Sequence, residues 1–101
     1  MTREKVLEIL DNSGFIKTYS EYGINYTHVS SVEGTVSADF FISNKHDSIC
    51  LLVFDTTKRR PVANPVMAFQ DIKDFEINSN FADNAIIKIS LNYPTEYFVE
   101  K

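Results

Sequence analysis

His46, Asp47 and Cys50 are the nearest thing in this chain to a reactive constellation. A cysteine nucleophile needs an imidazole within hydrogen-bond reach to hold it as thiolate, and an acid to orient that imidazole. Cys50, however, stands in the most apolar run of the sequence, Ile49 to Phe54, where a thiol behaves as a small, inert hydrophobe. No HxH, HxxxH or HExxH spacing joins His28 to His46, and a single cysteine excludes a multi-cysteine zinc site. Asp71, Asp74 and Glu76 lie close together, but along a strand Asp74 and Glu76 share one face while Asp71 falls on the other, which reads as a solvated acidic face. There is no G-x-S-x-G elbow and no glycine-rich phosphate loop. The chain is therefore read as a non-enzyme, with no metal and no cofactor.

Binding chemistry is better represented. Tyr19, Tyr22 and Tyr26, with Phe15, cluster around Gly23; tyrosine suits interfaces because it joins a large apolar ring to a polar tip, although core packing uses the same residues. Phe41 is a second partner-surface candidate. Clean alternation points it away from the side that Phe40 occupies, and with Val66, Met67 or Ile86 it would make an apolar patch. Lys58, Arg59 and Arg60 form the one basic cluster, on a turn, where three cations would meet an anionic headgroup, an RNA backbone or an acidic partner. The bland alternative is a solvated turn whose charge discourages edge-to-edge pairing. With 14 acidic residues against 10 basic ones, the net charge of -4 argues against a general nucleic-acid binder, which needs many cations on phosphate.

These residues need elements to place them. Ile, Val and Thr supply 25 residues and Phe and Tyr 13 more, against five Leu and five Ala, so strands should dominate. One helix is expected over about 3–12: Thr2 can cap it, Val6, Leu7, Ile9 and Leu10 make its apolar stripe, and Asn12-Ser13-Gly14 stops it. From about 24 to 93 the period is two. Val36, Ala38, Phe40 and Ile42 alternate with polar neighbours, Ile49 to Phe54 is apolar on both faces and so central, and Ile87, Ile89, Leu91 and Tyr93 form a last strong strand. Two prolines confine 61–69 to an edge strand or an extended crossing. The expectation is an α+β fold, predominantly antiparallel β. It has an N-terminal helix and six or seven strands in a bent sheet, small barrel or sandwich, all in one domain over 1–101.

The stretch Phe40-Phe41-Ile42-Ser43-Asn44, an apolar strand, a basic turn and then Phe69, Asp71, Ile72, Phe75, Glu76 and Ile77 resembles small bacterial pleckstrin-homology-like domains. The likeness covers about 40 residues, and its motif is structural: alternating apolar positions with a helix-like kink at Asp71-Ile72. It departs where such domains close one end of the barrel with a C-terminal helix, since Pro94 to Lys101 is barely two turns long. The resemblance implies a PH-like barrel used as a binding scaffold and carries no catalytic residue onto this chain.

The functional expectation is a small acidic binding domain that engages a macromolecular partner, most simply a protein, through an aromatic patch or a sheet edge. An inhibitor or immunity-type protein, whose carboxylates mask a basic site, is one form of it. The alternative is a PH-like module taking an anionic lipid headgroup or a small ligand on Lys58–Arg60. An open edge would also suit a homo-oligomer. The charged start of the chain and its lack of a long apolar run give no export signal or membrane span, so a cytoplasmic location without membrane binding is expected.

Overall fold

The computed structural model describes residues 1–28, 36–55, 60–79, 85–92 and 96–100. Its first element, helix α1 (Arg3–Asp11), starts where the cap requires: the Lys5 N–H donates to the Thr2 hydroxyl oxygen at 3.2 Å. Asn12 ends it by donating its N–H and its side-chain amide to the Glu8 carbonyl, at 3.2 and 2.9 Å. Gly14 then turns the chain at φ 82°, a conformation that favours glycine. Val6 and Leu10 are fully buried, and Leu7 and Ile9 pack partly buried beside them.

An antiparallel meander follows: β1 (Ile16–Tyr19), β2 (Gly23–His28), β3 (Val36–Ser43) and β4 (Ser48–Asp55). Two short strands, β5 (Arg60–Ala63) and β6 (Val66–Ala68), then share the far edge of β4, one beside Val53–Asp55 and the other beside Ser48–Cys50. Pro61 and Pro65 lack the N–H a central ladder needs, so this segment is held to an edge. A 3-10 turn at Phe69–Asp71 re-aims the chain into a second antiparallel sheet. That sheet is β7 (Ile72–Ser79), β8 (Ala85–Leu91) and β9 (Glu96–Glu100).

The core lies between the sheets. Tyr26, Phe40, Ile42, Ile49, Leu51 and Val53 line it from the first; Ile72, Phe75, Ile87, Ile89 and Leu91 line it from the second. Ile72 and Phe75 are three apart yet share the buried side, because the pairing with β8 shifts by one residue between Ile72 and Asp74. Phe40 bridges the sheets, its ring centroid 5.8 Å from Phe15 and 5.5 Å from Phe75. Helix α1 packs on β7 and is tied to the first sheet through the Arg3 guanidinium, which donates to the Ser43 carbonyl at 2.9 Å.

The α+β class, the opening helix and the antiparallel pairing stand. The barrel does not close, and the expected six- or seven-stranded bent sheet is met only loosely. The described residues hold nine strands in two sheets, with no pairing between the sheets to close a shell. β1 escapes the sequence pattern because a short edge strand held mainly by backbone bonds need not alternate apolar with polar. No helix among the described residues is long and apolar enough to cross a membrane.

Candidate functional site

The β1–β2 hairpin carries the largest exposed aromatic side chains of the described residues, Tyr19 at 72% and Tyr22 at 69% exposure. Ser20 and Gly23 close it by exchanging backbone bonds of 2.9 and 3.4 Å, leaving Glu21-Tyr22 as a two-residue loop. The loop is braced from the side: the Asn44 N–H donates to the Tyr22 carbonyl at 3.0 Å and its amide to the Glu21 carbonyl at 3.3 Å. Gly23 presses against β3 so closely that a Cβ there would run into the carbonyl oxygen of Ile42. Two exposed rings thus stand on a backbone held at both its base and its flank.

Tyr26 was expected on the same surface and is buried instead. Its ring lies on the core side, and its hydroxyl donates to the Asp11 carboxylate at 2.6 Å. The same oxygen accepts from the Lys17 ammonium at 3.0 Å. Lys17 is also 5.3 Å from the Tyr19 ring centroid and 5.5 Å from that of Tyr26. The Tyr26 and Lys17 bonds hold the Asp11 carboxyl below its ordinary range. Tyr19, Asp11 and Tyr26 around Lys17 raise its ammonium above the ordinary lysine value. Burial, and then the bond to Asp11, push the Tyr26 phenol up to about 12. Tyr26 therefore fastens the helix end to β2 and supports the exposed pair; it has no surface to offer a partner. Asp11 and Lys17 carry no local motif, and the sequence reading passed over both.

Phe41 is half-buried on the outer face of the first sheet. The pairing places it in one cross-strand row with Cys50 and the exposed Val66, so part of the anticipated patch exists. Met67 is buried and belongs to the opposite face, while the Ile86 side chain lies outside the described residues.

His46 and Asp47 are exposed in the β3–β4 turn, whereas Cys50 is half-buried in β4. Burial pushes the Cys50 thiol up, away from the thiolate a nucleophile needs. Among the described residues, no three of His, Cys, Asp and Glu gather closely enough to hold a metal ion. Lys58 and Arg59 lie outside the described residues. Arg60 opens β5, but its side chain is outside them too, as is that of His28.

A 730 Å³ depression is lined by residues 1–4, Asp47 and 68–70. It mixes the positive Met1 ammonium and Arg3 with the negative Glu4 and Asp47, and that ammonium is already spent on the Phe69 and Ile72 carbonyls at 3.0 and 2.8 Å. Compared with protein-family models, with curated proteins and with solved structures, the chain matches none of them.

Proposed function

We propose that this protein is a non-enzymatic binding domain that engages a macromolecular partner, most simply another protein, through Tyr19 and Tyr22. The observation that carries this reading is their joint exposure on a braced hairpin. Most exposed apolar residues sit singly and mean little, but two tyrosines on one tight hairpin offer large rings on a backbone that needs no ordering on binding. The net charge of -4 suits a basic partner and the long-range steering of an inhibitor or immunity-type protein. A helix against two antiparallel sheets is also compatible with the pleckstrin-homology-like scaffold that the sequence resembles, a scaffold for contact and not for bond-making.

The test is affinity capture from the native cell extract with tagged wild-type chain and with the Tyr19→Ala/Tyr22→Ala double variant. Specific proteins held by the wild type should be lost from the variant while its circular dichroism is unchanged. Equal recovery on both would remove this surface from consideration.

A further inference from the structure

We propose that β1 is the edge along which two copies of this chain pair, antiparallel, about a two-fold axis at Thr18. Ser20 and Gly23 exchange both backbone bonds, so the ladder parity makes Thr18–Asn25 and Ile16–Thr27 the next bonded pairs. The N–H and C=O groups of Lys17 and Tyr19 must then point away from β2, and β1 ends the sheet. Among the described residues nothing pairs with those groups, and Ile16, Thr18 and Tyr19 are all exposed.

Edge strands are commonly guarded by a lysine whose charge repels an incoming strand. Lys17 is the one charge on β1, and it is drawn aside, bonded to Asp11 and lying over two rings. Among the described residues nothing else guards the edge.

A second copy fits this edge by its own symmetry. With Thr18 opposite Thr18 of the second copy, Lys17 faces its Tyr19 in a doubly bonded pair, and Tyr19 faces its Lys17 in another. Four hydrogen bonds form, each ammonium gains a third aromatic neighbour beside its own Tyr19 and Tyr26, and two threonines meet on the outer side. Sliding the axis to Lys17 would instead set the two ammoniums opposite each other. The interface is small, so the dimer is weak and dependent on concentration. It rests on the backbone of β1 and does not draw on Tyr22; Tyr19 is common to it and to the partner reading above, and Tyr22→Ala, which should leave the dimer intact, separates the two.

The register gives the test. Thr18 would meet its copy in a non-bonded cross-strand pair with Cα atoms about 4.5 Å apart, inside disulfide range. In a Cys50→Ser background, Thr18→Cys should form a covalent dimer under oxidised glutathione many-fold faster than Lys17→Cys. Sedimentation of the wild type should show the average mass rising toward twice the monomer with concentration. Tyr19→Pro, which removes the outward N–H together with the ring, should abolish that rise, while Tyr19→Ala, which removes the ring alone, should keep most of it. A strict monomer at every concentration, or equal cross-linking of Lys17→Cys and Thr18→Cys, would overturn the proposal. Should Tyr19→Pro lose its fold, the two cysteine variants decide alone.

Discussion

The hydroxyl of Tyr26 donates to the carboxylate of Asp11 at 2.6 Å, joining the last residue of α1 to the middle of β2. This bond decides which tyrosine of the aromatic cluster is structural. Tyr26→Phe keeps the buried ring and deletes only the hydroxyl, so it should cost about 1–2 kcal/mol in urea unfolding. Asp11→Ala should cost a similar amount. The double variant should cost less than the sum, because both single changes break one interaction.

Stability should fall at both ends of the pH scale through this pair. The fold favours ionised Asp11, so its contribution is present above the ordinary aspartate range and fades as pH drops through the lowered value. The fold favours neutral Tyr26, so its contribution is present below the ordinary tyrosine value of 10.0 and is lost as pH rises toward about 12. Thermal melts across pH should show both limbs in the wild type. Tyr26→Phe should flatten the alkaline limb and weaken the acid one.

Gly23 is required by space. Any Cβ at this position meets the backbone carbonyl of Ile42 and the edge of the Phe41 ring, and a backbone neighbour has little room to yield. Gly23→Ala should destabilise by about 2–3 kcal/mol, like an overpacked core. Chemical denaturation is the measurement, and a change below 0.5 kcal/mol would show that β2 can move away from β3.

Phe40 holds the two sheets together through Phe15 and Phe75. Phe40→Ala should cost about 3–5 kcal/mol, since it removes a fully buried ring from the contact between the layers. Tyr19→Ala and Tyr22→Ala should each stay within about 0.5 kcal/mol of wild type, as exposed positions do. This contrast separates the residues that build the fold from those proposed to meet a partner.

Cys50 should react slowly with thiol reagents at neutral pH, because burial keeps its thiol protonated. Its modification rate should rise to the rate of a free thiol only on unfolding. Fast labelling of the native chain would show that the outer face of β4 is more open than its half-buried side chain indicates.

Local chemistry was enough to read several elements from the chain alone. Thr2 and Gly14 bound α1 because a cap and a left-handed stop act within a few residues. Pro61 and Pro65 assign their segment to an edge because a missing N–H needs no tertiary context. The alternation through Phe40, Phe41 and Ile42 correctly separates the two faces of β3. Only the tertiary structure decided which face is covered, and how far. Lys17 and Tyr19 lie on the same side of the sheet as Tyr26, yet Tyr19 is exposed at the rim while Tyr26 is buried with its hydroxyl bonded to the last residue of α1. Periodicity reports which residues share a face; burial depends on what another part of the chain lays over it. Asp11, fifteen residues from Tyr26, is such a part.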